Sequence, residues 1–339
     1  MAGTVLVTGG SGYIGGYVIR QLVAEGWTVR ATLRSPGREA EVRAALGVPG
    51  PELAFFAADL TSDTGWAEAM AGCSHVVHVA SPIPSGRAKY HEDELIVPAR
   101  DGTLRALRFA KAAGVKRFVQ TSSIAAIVYG HADPDRLFTE ADWSDVTAPG
   151  VSAYAKSKTI AERAARDWIA AEGGAMEYCT INPSLILGPV LGPDFTITID
   201  IIKRLIGGGV PGYPRLGVAV VDVRDVADLH VRALTAPGMA GERFIAAGPF
   251  MAIRDVGAIL RDRLGAQGRK VPTRNIPDFV LRVMALFDAA LQEVVGELGR
   301  TRSASSAHAL DRFGWKTRPA EDSIVDTARS LIDLGIVKV

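Results

Sequence analysis

Over the first 180 residues, apolar runs of four to six residues alternate with longer stretches whose apolar positions recur every three or four. The short runs are Val5–Thr8, Thr28–Leu33, Leu53–Ala57, His75–Ala80, Arg117–Ser122 and Met176–Ile181. Most are apolar throughout rather than alternating, which suits parallel strands covered on both faces. Between them, Tyr13–Glu25 and Leu95–Ala113 read as helices. In the second, Leu104, Leu107, Ala110 and Ala113 recur in steps of three and form one buried stripe. Strand and helix in alternation predict an α/β fold with a doubly wound parallel sheet.

After Pro183 the pattern changes. Gly188–Gly217 is rich in Gly and Pro and shows no regular alternation. Val220–Val226 reads as a short strand feeding a helix with Asp225 at its N-cap, and Arg243–Ala246 as a strand that adds to the sheet. From Ile253 onward the segments read as helices. The amphipathic run Pro277–Leu298 carries Arg282, Asp288, Glu293 and Glu297 on its polar side and is expected to pack on the core. The expected organisation is a main unit of residues 1–184, joined by 218–248. A smaller, discontinuous lobe of residues 185–217 and 249–339 is expected to lie over the C-terminal edge of the sheet.

Composition narrows the function classes. The 339 residues are 48% hydrophobic and 22% charged, enough to bury a large core. Lys plus Arg is 38 against 37 for Asp plus Glu, a net charge of +1 without the basic excess of nucleic-acid binders. Cys73 and Cys179 are too few for a disulfide framework or a cysteine-based zinc site and are expected to be buried. His75 and His78, three apart on a strand, point to opposite faces, so no metal site is expected. No signal-peptide pattern or run of about 20 apolar residues is present, so the expectation is a cytoplasmic protein without membrane attachment.

The strongest local signal is Thr8-Gly9-Gly10-Ser11-Gly12-Tyr13-Ile14-Gly15, directly after the first strand and opening the first helix. Glycines at this spacing allow a tight turn, close approach of backbone to a pyrophosphate and close helix–strand packing, while the helix N-terminus faces the anion. The chain therefore predicts a Rossmann-type dinucleotide site. The second strand ends in Arg34, about 20 residues after the glycines, where NAD-preferring sites place an acid. An arginine there pairs with a 2′-phosphate, with Arg38 and Arg43 nearby, so NADPH/NADP+ is expected over NADH. Asp59, after the third strand, is placed to accept from the adenine amino group.

Tyr154 and Lys158 lie four apart at the start of a helix running toward Ala171, on one face and one turn apart. A phenol with an ordinary pKa near ~10 shuttles protons poorly at neutral pH unless a cation favours the phenolate, and Lys158 supplies one. Ser122 and Ser123 terminate the fifth strand, at the edge where ligands of such sheets sit.

Together these residues resemble the extended short-chain dehydrogenase/reductase family, in its branch of dihydroflavonol reductase-like aldehyde and ketone reductases. The likeness runs through the glycine turn, His78-Val79-Ala80-Ser81-Pro82, Gln120-Thr121-Ser122-Ser123, Asn182-Pro183-Ser184-Leu185-Ile186-Leu187-Gly188-Pro189 and Leu310-Asp311-Arg312-Phe313-Gly314-Trp315. It implies catalysis by Ser123, Tyr154 and Lys158, with Tyr154 as proton donor to a carbonyl reduced by hydride. It further implies a cofactor held by Thr8, Gly9, Gly12, Tyr13, Ile14, Gly15, Arg34, Asp59, Leu60, Val79, Ala80, Ser81, Thr121, Lys158, Asn182, Pro183 and Ser184. Two departures stand out. A relay asparagine of many relatives has no counterpart in Glu94–Thr103, and Glu41 stands where some plant relatives carry a second basic residue.

The resulting expectation is an NADPH-dependent carbonyl reductase for an aldehyde, ketone or 2-oxo compound. The apolar stretch Leu185–Leu216, with Leu191, Phe195, Ile197, Ile199 and Ile202, points to a hydrophobic small-molecule substrate. Expected pocket residues are Ile83, Ile124, Tyr129, Leu185, Phe195 and Tyr213. A homodimer through Leu95–Ala113 and Tyr154–Ala171 is compatible with the likeness. A nucleotide-sugar epimerase or dehydratase of the same family, and an NADP-sensing regulator without chemistry, remain as alternatives.

Overall fold

The apolar runs assemble side by side. In the computed structural model, which describes residues 3–82, 91–192, 195, 197–287 and 289–339, ten strands form two sheets. The strands are β1 (Thr4–Thr8), β2 (Thr28–Leu33), β3 (Leu53–Ala57), β4 (His75–His78), β5 (Arg117–Thr121), β6 (Glu177–Pro183), β7 (Leu185–Leu187), β8 (Gly217–Asp222), β9 (Arg243–Ala246) and β10 (Phe250–Ala252). The main sheet has the order β3-β2-β1-β4-β5-β6-β9, with every neighbouring pair parallel. The order reverses between β1 and β4, where Val5 pairs with Val29 on one side and His75 on the other. A ligand crevice opens at such a reversal, outside the C-terminal strand ends.

The helices are α1 (Tyr13–Ala24), α2 (Glu39–Leu46), α3 (Trp66–Met70), α4 (Asp93–Ala112), α5 (Ala153–Glu172), α6 (Ile197–Gly207), α7 (Val223–Thr235), α8 (Ile253–Leu264), α9 (Asp278–Met284), α10 (Ala289–Glu297), α11 (Ala307–Phe313) and α12 (Ala320–Asp333). α1 and α7 pack together on one face of the main sheet, and α4 and α5 on the other. Two layers of helix explain why the strands are apolar on both faces: Val5, Leu6 and Val7 are all fully buried. Phe118 on β5 lies buried between His78 and Tyr178, and truncating it to Ala would cost about 3–5 kcal/mol. Both cysteines are buried. Among the described residues no helix is long and apolar enough to cross a membrane.

β9 extends the main sheet by pairing with β6, whereas β8 lies between β7 and β10 in the second sheet. Two local expectations are corrected. The N-cap of α7 is Asp222, whose carboxylate accepts from Arg224 N–H at 2.8 Å, and not Asp225. Asp225 lies inside the helix, where it binds Arg318, and its carbonyl accepts from the Trp315 indole at 2.9 Å. The run Pro277–Leu298 is two helices and not one core-packing helix. Leu281 and Ala285 are buried, but Phe279, Val283, Met284, Leu286 and Phe287 are exposed. The buried positions share one narrow stripe, which leaves the remaining apolar side chains outside it.

Candidate active site

The glycine turn is built by contact with its neighbours. Gly9 has φ +71°, and a Cβ there would lie 3.1 Å from the Ala80 backbone. A Cβ on Gly15 would fall 2.3 Å from Gly9 O, the same carbonyl that accepts from Gly12 N–H at 2.9 Å. Helix α1 then starts at Gly12 with no side-chain cap and no acid in its first turn. Among the described residues nothing accepts from the N–H groups of Tyr13, Ile14 and Gly15, so three donors and the positive helix end are left for an anion. A small cavity of about 40 Å³ beside the turn is lined by Ser11, Gly12, Arg38, Glu41 and Leu191 among others. The side chains of Tyr13 and Ile14 turn inward: Tyr13 is buried edge-on to Tyr17, and Ile14 packs on the core.

Thr8 faces inward as well. Its Oγ1 accepts the N–H groups of Val79 and Ala80 at 3.0 Å each, so its own proton goes to His78 Nδ1 at 3.0 Å. That leaves His78 neutral with its proton on Nε2, and burial together with the Lys158 charge pushes its pKa down to about 3. Thr8 thus holds the segment after β4 in place instead of presenting its hydroxyl to a cofactor, and Val79 and Ala80 have their N–H groups committed to it. The Thr121 hydroxyl is committed in a similar way. Its hydroxyl donates to His230 Nε2 at 2.7 Å, while His230 Nδ1 donates to Val226 O at 2.7 Å. The alternation of β5 turns that side chain toward α7, leaving only the Thr121 backbone for the crevice.

At the end of β2, Arg34 is exposed and among the described residues has no hydrogen-bond or ion-pair partner, but its charge helps hold the nearby Asp59 ionised. Asp59 Oδ1 accepts from Thr61 N and Oγ1, which lowers its pKa and leaves Oδ2 for another donor. Leu60 follows, packed by its Cβ against Gly102, where a second Cβ would approach to 2.8 Å. Arg38 forms a two-point pair with Glu41, its Nη2 at 2.7 Å from Oε1.

The residues expected to be catalytic lie on neighbouring elements, the turn after β5 and the start of α5. Ser123 opens a short 3₁₀ turn, Ile124–Ala126, that packs against α5, and its Oγ accepts from Ala125 N–H at 3.1 Å. That bond leaves the hydroxyl proton of Ser123 to donate. Ser152 caps α5, and Ala125 shares an apolar cluster with Tyr154. The Lys158 ammonium lies 5.7 Å from the Tyr154 ring centre and donates to Ser81 Oγ at 3.0 Å. Asn182 on β6 donates through Nδ2 to Ser123 O at 3.1 Å, while its Oδ1 is buried without a partner. Pro183 ends the strand, and Ser184 Oγ is likewise buried and unpartnered. Free helix N–H groups, orphaned polar atoms and a glycine cradle together fit a dinucleotide lying across the crevice.

Of the expected pocket residues, Ile124 and Tyr129 lie together, and Tyr129 also packs with Tyr154. Arg302 is stacked over the Tyr129 ring at 4.4 Å and paired with Glu297. Leu185 and Phe195 are half-buried against the main core. Tyr213 is corrected: it is buried, its hydroxyl bonded to Pro272 O and Arg261 and its ring fitted over Gly257. It packs the lobe. Ile199 and Ile202 are also fully buried core residues of α6, so their apolarity reflects helix packing and not a substrate surface. Ile83 lies outside the described residues. The pattern of the chain also missed Glu162, which is wholly buried on α5 one turn beyond Lys158. The only local signal was its place four residues on, on a face otherwise rich in alanine.

Comparison with known proteins places these features in a family. The model of the NAD dependent epimerase/dehydratase family matches residues 5–247. The chain is 32% identical to a dihydroflavonol 4-reductase of Zea mays over 269 residues, 77% of this chain and 74% of the relative. It is 35% identical to cinnamoyl-CoA reductase CAD2 of Medicago truncatula over 240 residues, 69% of this chain and 72% of that one. The fold is similar to the yeast methylglyoxal/isovaleraldehyde reductase Gre2 complexed with NADPH, with a TM-score of 0.80 at 23% identity, covering 98% of this chain and 100% of that one.

Proposed function

The chain belongs to the NAD dependent epimerase/dehydratase family and is an oxidoreductase of its extended short-chain type, and from this premise we propose that it is an NADPH-dependent carbonyl reductase. Its substrate is a small hydrophobic aldehyde, ketone or 2-oxo compound. The dinucleotide belongs to the sheet unit of residues 1–184 with 218–248, and the substrate to the lobe of 185–217 and 249–339. The observation that carries the reading is Ser123, whose Oγ already accepts a backbone N–H and so turns its own proton outward beside the helix of Tyr154 and Lys158.

When bound, NADPH supplies the hydride that the carbonyl carbon takes up. Ser123 donates its hydroxyl proton as a hydrogen bond to the carbonyl oxygen, and the N–H it accepts polarises that hydroxyl further. Tyr154 gives its proton to the same oxygen as negative charge builds there, and solvent later restores it. Lys158, held near the phenol, favours the phenolate that results. Ile124 and Tyr129 form an apolar wall next to Tyr154, which supports a hydrophobic substrate. Arg34 would hold the 2′-phosphate, and the open N–H groups of α1 would hold the pyrophosphate.

The deciding experiment follows nicotinamide absorbance with NADPH or NADH against aromatic aldehydes, aryl ketones and 2-oxo esters. Consumption of NADPH with one equivalent of alcohol formed is the expected result. Turnover of a nucleotide sugar without net loss of cofactor overturns it.

A further inference from the structure

Helix α5 presents three polar groups on one face at four-residue steps: Tyr154, Lys158 and Glu162. The chemistry above uses only the first two. Glu162 is nevertheless wholly buried and has a full set of donors. Its Oε1 accepts from Arg243 Nε at 2.7 Å, Thr180 Oγ1 at 3.2 Å and Arg166 Nε at 3.4 Å. Its Oε2 accepts from Ser122 Oγ at 2.5 Å, Asn182 Nδ2 at 2.8 Å and Arg243 Nη2 at 3.4 Å. Burial alone would raise its pKa, but the Arg243 and Arg166 charges and the Ser122 and Asn182 hydrogen bonds together outweigh burial and hold the pKa below the ordinary value.

A pair with Arg243 would by itself neutralise a buried carboxylate. Of the four further donors, Thr180 and Arg166 lie away from Ser123, while Ser122 and Asn182 belong to its surroundings. Ser122 is its neighbour in the chain. Asn182 divides the two protons of one amide nitrogen between Glu162 Oε2 and Ser123 O. Ser123 O also accepts from Ala126 N–H at 3.0 Å, and Ser123 Oγ from Ala125 N–H at 3.1 Å. The orientation of the Ser122–Ser123 backbone therefore decides where the catalytic proton points. Glu162 reaches that segment twice, at the Ser122 hydroxyl and through the Asn182 amide bound to Ser123 O, and it does so from the helix that carries Tyr154 and Lys158.

We propose that Glu162 is a positioning residue, which through Ser122 Oγ and Asn182 Nδ2 sets Ser123 in register with Tyr154 and Lys158. Its kinetic consequence rests on the carbonyl-reductase reading; its geometric consequence does not. Misplacing a reacting group by about 1 Å lowers rates by as much as about 100-fold, so a loosened clamp reads out in the chemical step.

Glu162→Gln leaves Arg243 buried without its counter-charge and is prone to unfold, so the informative variants are Glu162→Asp and Ser122→Ala, which keep that charge pair. The full-length chain and both variants are compared by kcat, KM, NADPH dissociation constant, the isotope effect with NADPH deuterated at the transferred position, and amide exchange at Ala125 and Ala126. Expected is a fall in kcat of roughly 10-fold or more for Glu162→Asp and a smaller one for Ser122→Ala. KM and NADPH affinity stay within about twofold while the isotope effect grows. The Ala125 and Ala126 amides exchange about 10-fold faster with the rest of β5 and β6 unchanged. Wild-type turnover in both variants, or exchange that rises evenly across the sheet, overturns the clamp. A parent protein without any turnover removes the reductase reading instead, and amide exchange then still decides the clamp.

Discussion

Lys158 Nζ donates to Ser81 Oγ at 3.0 Å, joining the second turn of α5 to the segment that follows β4. This places the ammonium at the reversal of strand order between β1 and β4, beside the glycine turn. The segment it reaches is itself fixed by Thr8 through Val79 and Ala80. One cation thereby connects the face that holds the dinucleotide to the helix that carries the phenol.

Tyr154 tests the chemistry directly. Its ring packs with Tyr129, Ala125 and Val151, contacts that phenylalanine retains. Tyr154→Phe removes only the hydroxyl proposed as proton donor, and general acid catalysis contributes about 10²–10⁴-fold. The expected outcome is a kcat lowered about 100-fold or more with NADPH affinity unchanged, read by steady-state kinetics and by titration of cofactor fluorescence. A variant that turns over at near the parent rate removes Tyr154 from the mechanism.

Arg34 tests cofactor choice. It is exposed and among the described residues has no partner, so its removal disturbs no internal contact. A charge-assisted bond to a phosphate contributes more than a neutral one, though exposure to solvent and salt screens it. Arg34→Ala should weaken NADPH by about 10-fold and leave NADH within about twofold, measured as dissociation constants at fixed salt. Equal weakening of both cofactors would place the 2′-phosphate elsewhere.

Features that depend on chain-local physics were legible in the sequence. Six strands begin and end within two residues or so of their apolar runs, because burial on both faces keeps most of their positions apolar. The glycine turn and the Tyr154–Lys158 spacing are equally local. What failed depended on distant partners. An apolar residue in the irregular lobe reads alike whether it faces a ligand or the core, which is why Tyr213 reads as a pocket residue and why Ile199 and Ile202 read as signs of a hydrophobic substrate. Thr8 and Thr121 sit in the motifs that resemble a cofactor site, but the sequence does not announce that His78 and His230 engage their hydroxyls. Glu162 and Arg243 are 81 residues apart, and no local pattern announces such a pair.

Gly15 tests the cradle. Any Cβ there meets Gly9 O at 2.3 Å, and that oxygen belongs to backbone that also receives Gly12 N–H. Neither atom is the end of a flexible side chain, so the turn itself has to move. Gly15→Ala should raise the NADPH dissociation constant about 10-fold or more, since the N–H groups of α1 shift with the turn. Calorimetric titration measures it, and an affinity within twofold of the parent would show that the turn has room that its geometry denies.

His230 sets a pH dependence of stability. It is fully buried between Thr121 and Val226, and burial pushes its pKa down to about 4. In the unfolded chain a histidine titrates near about 6.5. Between these two values the unfolded state binds the extra proton and the folded state does not, so stability rises with pH across that window and is fully present above it. Falling pH removes about 1.4 kcal/mol per unit from this group until the folded pKa is reached. His78, pushed down to about 3, acts in the same sense. His230→Gln retains an acceptor for the Thr121 hydroxyl but cannot titrate. Urea unfolding at a series of pH values should therefore show a shallower loss of stability for His230→Gln than for the parent between about pH 6 and pH 4.5. Parallel curves for the two proteins would mean that His230 is protonated in the folded state as readily as in the unfolded one.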